Sequence, residues 1–224
     1  MTQDNPFPNG LFITLEGPDC AGKTTHMKNI KQWLEEELHV EVLTCREPGG
    51  TRIGEELRRL LKTVSGEDQA SEVAELLMFS AARRQLLDKV ILPHLQKGGV
   101  VLCDRFLDST TAYQGYGRHI DLEVIYAAHD IAVGKHLPDL TLLLDVTPKE
   151  RLIRKTMREG GDVEKCNFED ESEGFHNDVR NGYLELAKNE PERFIVVESD
   201  RDASITWTRI QAKLKLPVQL MLMR

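Results

Sequence analysis

Five short apolar runs punctuate the chain, at Leu11–Leu15, Val40–Thr44, Val100–Cys103, Leu140–Val146 and Phe194–Val197. They are continuously apolar rather than alternating, which is the pattern of strands buried on both faces of a parallel sheet. Between them, apolar positions recur at spacings of three and four. That period predicts helices over Thr24–Leu38, Glu55–Lys62, Glu72–Leu92, Leu122–Val133, Pro148–Arg158 and Ser204–Leu214. In the longest helix Val73, Leu76, Leu77, Ala81, Leu86 and Val90 supply the apolar positions, and Pro93 is expected to end it. Strand alternating with helix predicts a three-layer α/β fold with a five-stranded parallel sheet. No internal repeat or low-complexity linker divides the sequence, so one domain over residues 1–224 is expected. Residues 1–10 read as a flexible leader, and the tail at 215–224 either packs on the body or frays.

The first strand and first helix are joined by Gly17-Pro18-Asp19-Cys20-Ala21-Gly22-Lys23-Thr24-Thr25. This matches G-x-x-x-x-G-K-[ST], in which glycines let consecutive N–H groups turn inward onto phosphate oxygens. The following helix adds the positive end of its dipole. Lys23 then supplies a point charge for the outer phosphates, and Thr24 a hydroxyl placed to ligate magnesium. The context of strand before and helix after predicts a nucleotide-binding, P-loop NTPase fold. Cys20 inside the loop is either a small filler or a thiol whose alkylation blocks nucleotide.

Composition narrows this reading. The 224 residues carry a net charge of −8, which argues against nucleic acid as the principal partner. Phosphate binding must therefore be local. No apolar run approaches the ~20 residues that span a bilayer, and residues 1–10 lack the basic start of a signal peptide. Cys20, Cys45, Cys103 and Cys166 form no C-x-x-C pair, so reduced thiols and a cytoplasmic location are expected.

In a sheet of this kind ligands sit beyond the carboxyl ends of the strands, and charged residues follow every one. Glu16 follows the first, Arg46 and Glu47 the second, Asp104 and Arg105 the third, Asp145 the fourth, and Glu198, Asp200 and Arg201 the fifth. Asp104 and Asp145 are the two candidates for the magnesium carboxylate. Asp104 is favoured because Arg105 beside it offers a bidentate fork for a second phosphate, while Asp145 suits capping of the helix from Pro148. Phe79 and Arg83, four apart, share a helical face; they either stack on and bond a base, or are a core Phe beside a solvated Arg. Asp108–Gly115 reads as a polar base- or sugar-reading segment, or simply a loop. Arg151, Arg154, Lys155 and Arg158 recur along one helical face. An acidic stretch from Asp162 to Asp178, too poor in apolar residues for its own core, follows. Together these suggest a short helical lid over about 151–178, whose arginines reach the phosphates when closed.

Taken together, Gly17–Thr25, Arg-Glu-Pro-Gly-Gly at 46–50, Leu-Met-Phe-x-Ala-Ala-Arg at 77–83 and Asp-Arg-x-x-x-Ser-x-x-Ala-Tyr-Gln-Gly at 104–115 resemble the thymidylate kinase family. So do Pro-Asp-Leu-Thr at 138–141, Leu-Asp-Val-Thr-Pro at 144–148 and Tyr-Leu-Glu-Leu-Ala at 183–187. The likeness is collinear over roughly residues 11–214. It implies transfer of the γ-phosphate of ATP to dTMP with Mg2+ as cofactor, and commonly a homodimer packed through helices. By that resemblance Phe79 stacks on thymine, Arg83 bonds its edge, and Ser109 and Gln114 complete the pocket. Tyr113 lies near the sugar 2′ position, and Asp19 bonds the 3′-hydroxyl. Arg105 and Arg58 hold the acceptor phosphate beside a wall of Glu47 and Pro48. The loop has no arginine, which looks like the bacterial type, with its catalytic arginine in the lid; Arg158 aligns best with that residue. Where such members carry Asp-Arg and an acid, this chain has Lys165-Cys166-Asn167-Phe168-Glu169. Either Arg158 alone completes the catalytic charge, or Arg154 or Lys165 takes over. Other readings are a kinase for another nucleoside monophosphate or a deoxynucleoside, and a nucleotide switch without chemistry. The Asn-Lys-x-Asp of guanine-reading switches is absent.

Overall fold

The structure is a computed structural model and describes residues 10–37, 39–64, 66–158 and 171–222. Five strands, β1 (Leu11–Glu16), β2 (Val42–Arg46), β3 (Val100–Asp104), β4 (Leu140–Asp145) and β5 (Phe194–Glu198), form one sheet ordered β2-β3-β1-β4-β5. Every pairing is parallel. All five expected strands are present, each within two residues of its predicted ends.

The register explains the unbroken apolar runs. Leu11, Ile13 and Leu15 of β1 join Val100 and Leu102 of β3 and Leu140, Leu142 and Leu144 of β4 on one face. There they pack on Ile30, Trp33 and Leu34 of α1 (Lys23–Glu37) and Ile210, Leu214 and Val218 of α9 (Ala203–Leu222). Phe12, Val101 and Cys103 point the other way, toward Leu86, Leu87, Ile91 and Leu95. Each fully buried Leu, Ile or Phe contributes roughly 1.5–3 kcal/mol, so both faces select for apolar residues, and the polar pair Thr14 and Thr141 is buried with its hydroxyls bonded to each other at 2.9 Å. The tail therefore continues as helix and packs rather than frays, with Val218 fully buried and Met221 against the same core.

Between β2 and β3 lie α2 (Arg52–Thr63) and α3 (Glu72–Leu86). Thr51 caps α2, its Oγ1 accepting from Gly54 N at 3.0 Å, which starts that helix three residues before the prediction. Nor does Pro93 stop the long helix. A π-helical turn over Leu87–Ile91 leads into α4 (Leu92–Leu95), with Leu92 N–H bonding Leu87 O. The widened ladder accommodates a ring that would otherwise clash with a carbonyl one turn back. After β3 come α5 (Leu107–Thr110), a π-helical segment Thr111–Gly117, and α6 (Leu122–Ala132).

The expected lid fares differently along its length. α7 (Pro148–Arg158) forms as predicted, residues 159–170 lie outside the described residues, and α8 (Glu173–Asn189) begins inside the stretch read as acidic flap. Ser172 caps α8 by accepting from Phe175 N. Phe175, Val179, Tyr183 and Leu186 then bury one face against Ala112, Tyr113 and Phe194. That spacing fastens 173–178 to the body. No helix among the described residues is long and apolar enough to cross a membrane.

Candidate active site

β1 ends between β3 and β4, with Leu15 opposite Asp104 and Glu16 opposite Leu143. The loop that follows leaves the sheet where its strand order diverges to either side. Gly17 adopts φ 135°, and a Cβ there would lie 2.4 Å from Leu144 O. Only glycine lets the loop pass that close to β4. Lys23, 8% exposed, folds back to donate to the carbonyls of Gly17 (3.0 Å) and Pro18 (2.9 Å). Burial and the Arg105 charge press its pKa down, while Asp104, Asp19 and Glu16 oppose them.

A cavity of about 530 Å³ opens over this loop. Asp19, Cys20, Ala21, Gly22, Lys23, Thr24 and Thr25 line it from the loop side, with Arg154 beside them. Glu47, Pro48, Arg58, Phe79, Tyr113 and Gln114 line it from the other elements. Asp104, Arg105 and Ser109 contribute from the end of β3 and from α5. Of the two carboxylates weighed for the metal, Asp104 is on the cavity wall. Asp145 is held by Arg180 of α8 through a two-point ion pair (2.7 and 2.8 Å). It does not cap α7, where Thr147 Oγ1 accepts from Glu150 N instead.

Arg105 sits at the centre of the polar network. It has φ 69°, a left-handed conformation that costs a residue with a Cβ roughly 1–3 kcal/mol. Nη2 donates to Asp19 Oδ1 at 2.7 Å and Tyr113 OH at 3.1 Å, and Nη1 to Ser109 Oγ at 3.0 Å and Tyr183 OH at 3.1 Å. The guanidinium carbon lies 5.0 Å from the Tyr113 ring centroid. Burial alone would raise the pKa of Asp19. The Arg105 and Lys23 charges and the Tyr113 hydroxyl outweigh it, and hold the carboxyl well below the usual range.

Arg154 is fixed at the loop. Nη1 donates to Ser199 Oγ (3.0 Å) and Cys20 O (3.4 Å), and Nη2 to Ser199 O (2.8 Å), while Glu150 takes Nε (3.0 Å). Ser199 Oγ in turn donates to Ala21 O. Arg151, by contrast, does not share an open stripe with Arg154: it is buried against His176 of α8. For Arg158 only the backbone is described, and Lys165 lies outside the described residues.

Phe79 lines the cavity and packs against the Tyr113–Tyr183 cluster. Arg83 is not the solvated side chain that was one of its two readings. It is fully buried and does not line the cavity; Nε and Nη2 clamp Glu47 at 2.9 and 2.6 Å, and Nη2 also reaches Thr110 Oγ1 at 2.6 Å. Capacity to spare remains at Nη1, whose one contact is His129 Nδ1 at 3.4 Å. Arg83 thus stands behind the wall and sets Glu47 and Thr110 within it. Gln114 is anchored by donating to Glu75 at 2.8 Å, and Arg58 by donating to Pro48 O across the cis Glu47–Pro48 bond.

Three members of this site were not singled out from sequence, and Glu16 was named there only as the charge that follows the first strand. Thr110 lines the cavity beside Ser109. Ser199 was visible only as a polar residue after β5. Glu16 stands out afterwards as the one charge in β1. Tyr183 had only its place in the Tyr-Leu-Glu-Leu-Ala motif.

Comparison with known proteins agrees with this geometry. The family model described as thymidylate kinase matches residues 15–210. The chain is 43% identical over 192 residues to a thymidylate kinase of Desulfosudis oleivorans, covering 84% of this chain and 89% of that one. It is 42% identical to a thymidylate kinase of Dehalococcoides mccartyi over 95% of this chain and 97% of the relative. Among solved structures, a thymidylate kinase crystal structure from Ehrlichia chaffeensis superposes with a TM-score of 0.74 at 34% identity, covering 92% and 99% of the two chains. Because the family model matches from the end of β1 into α9 and relatives at 42–43% identity cover most of the chain, the chain belongs to the thymidylate kinase family.

Proposed function

We infer that the protein transfers the γ-phosphate of ATP to dTMP, giving dTDP and ADP. The observation that carries this is the single cavity in which a phosphate loop and an aromatic, amide-bearing wall meet at Asp104 and Arg105. Phosphoryl transfer demands in-line oxygens and neutralised charge more than covalent help. The P–O bond from the β,γ-bridging oxygen breaks as one forms to an oxygen of the acceptor phosphate, so the two phosphates must be held end to end. Loop N–H groups and Lys23 take the donor phosphates, with Lys23 exchanging its carbonyl partners for phosphate oxygens. Arg105 and Arg58 take the acceptor phosphate. Arg154, already at the loop, faces the transferring group and is the best-placed described cation to share the role expected of Arg158.

Among the described residues no group of three His, Cys, Asp or Glu forms a metal cage. Mg2+ binds through one or two protein oxygens plus phosphates and water. Thr24 Oγ1 and Asp104 are the residues that would hold it, and the ion would neutralise charge on the transferred phosphoryl group. Phe79 offers a stacking face for thymine, Gln114 and Thr110 polar edges, Asp19 an acceptor for the 3′-hydroxyl, and Tyr113 a wall at the 2′ position. ADP release against a panel of nucleoside monophosphates tests the reading. Phe79→Ala raises KM for dTMP about tenfold or more while leaving KM for ATP near wild type, because stacking of roughly 1–3 kcal/mol holds only the acceptor. Equal rises in both constants contradict that role.

A second copy of the chain is proposed to cover the α2–α3–α6 side. Ile53 and Leu60 on α2, Val73 and Leu77 on α3, and Val124 and Ile131 on α6 are exposed, and α3 packs against both neighbours. Contiguous exposed apolar side chains of this kind mark association surfaces. Wild type should sediment as a dimer and Leu77→Glu as a monomer; a monomeric wild type contradicts the assignment.

A further inference from the structure

The roles above leave unused the most deeply placed acid of the site. Glu16 is fully buried at the end of β1. Its Oε1 accepts from Phe106 N at 2.7 Å, and its Oε2 from Ser109 Oγ at 2.6 Å and Tyr183 OH at 3.0 Å. Those two hydroxyls, 2.8 Å apart, are the same atoms that receive the N–H groups of Arg105 Nη1. Each hydroxyl has one proton. Since Arg105 can only donate, both oxygens must spend lone pairs on it. Both protons are then left to turn toward a group that accepts, and the Glu16 carboxylate is that group. Charged neighbours complete the setting: Asp108 of α5, Arg105 after β3 and Lys23 of α1 all act on it electrostatically. Burial and the Asp108 charge raise its pKa to about 7, against Ser109, Arg105 and the Phe106 N–H.

We propose that Glu16 is a positioning residue for acceptor binding, orienting the Ser109 and Tyr183 hydroxyls so that together they hold Arg105 Nη1 in place. The proposal rests on the reading of Arg105 as the acceptor-phosphate ligand. It accounts for why Ser109, expected to complete the base pocket, bonds Glu16, Tyr183 and Arg105 instead. It also gives the left-handed backbone of Arg105 a counterweight, since a strained conformation persists only where its surroundings over-determine it.

The substitution Glu16→Gln separates this role from space-filling. An amide whose oxygen keeps the Phe106 N–H must present its NH2 to the two hydroxyls. It would then donate where acceptance is needed, and would turn their protons against Arg105. Glu16→Gln is expected to weaken dTMP binding about tenfold, and Tyr183→Phe, which keeps the packed ring, about threefold. The measurement is the dTMP dissociation constant by titration calorimetry, in the wild-type and Arg105→Ala backgrounds, with KM for ATP read alongside. If Glu16 works through Arg105, neither substitution weakens dTMP further once Arg105 is gone, and KM for ATP stays unchanged throughout. Equal losses with and without Arg105 overturn the proposal, as does a parallel rise in KM for ATP. Should Arg105→Ala itself bind dTMP like wild type, the phosphate-ligand reading fails and this inference with it. Should Arg105→Ala weaken binding while Glu16→Gln and Tyr183→Phe do not, this inference alone fails. If Glu16→Gln does not fold, Tyr183→Phe decides the question.

Discussion

Replacing Lys23 with Ala lowers kcat by roughly a thousandfold or more while leaving the melting temperature within a few degrees of wild type. The expected size follows from what a fixed cation aimed at a developing phosphoryl charge supplies, about 10³–10⁵ in rate for an arginine in the equivalent electrostatic role. The expected stability follows from the geometry. The ammonium is bonded to the carbonyls of Gly17 and Pro18, and burial and Arg105 already work against its charge. Losing it relieves desolvation even as it leaves two carbonyls to water or phosphate. A Lys23→Ala enzyme with near wild-type turnover contradicts the assignment of the phosphate loop. Circular dichroism melting, run beside the assay, shows that any loss belongs to chemistry and not to unfolding.

Replacing Arg83 with Leu should do the opposite kind of damage. Arg83 and Glu47 are a buried two-point ion pair, both less than 5% exposed. Removing one partner of such a pair costs about 3–5 kcal/mol because a charge is left buried without compensation. For a chain of this size that is a fall of roughly 10 °C in melting temperature. Burial already raises the Glu47 pKa against the pull of Arg83, so without Arg83 the carboxyl should protonate. Adding Glu47→Gln should therefore restore part of the loss, since replacing both members of a buried pair costs far less than orphaning one. An Arg83→Leu protein that melts like wild type but shows a raised KM for dTMP would place the guanidinium on the base, as the family resemblance implies, rather than on the wall.

These expectations also show where a linear sequence speaks and where it does not. The five strands and the phosphate loop were legible because their signals are local. Two-sided burial makes β1, β3 and β4 predominantly apolar, with Thr14 and Thr141 bonded to each other, and Gly17 is demanded by a carbonyl 2.4 Å from where a Cβ would stand. Asp104, Arg105 and Phe79 were legible because each follows a strand or sits at helical spacing, whereas Tyr113 was named only through the family resemblance. What stayed hidden depends on partners distant in sequence. Arg83 meets Glu47 36 residues away, and Asp145 meets Arg180 at 35. Neither pairing leaves a periodic trace. Thr110, Thr111 and Gln114 were polar enough to suggest a loop, yet they are buried in helical turns because Arg83, His129 and Glu75 satisfy them. The start of α8 was masked by acidic neighbours, although Ser172 and the run Phe175, Val179, Tyr183 carried its cap and its stripe.

The most direct test of the central claim is the initial rate of ADP release from ATP and Mg2+ with dTMP, dCMP, dGMP or UMP as acceptor. Phe79, Gln114 and Tyr113 on one wall of the cavity predict a kcat/KM for dTMP well above that of the other three. Equal rates for all four acceptors, or ADP release that dTMP does not stimulate, would contradict the account.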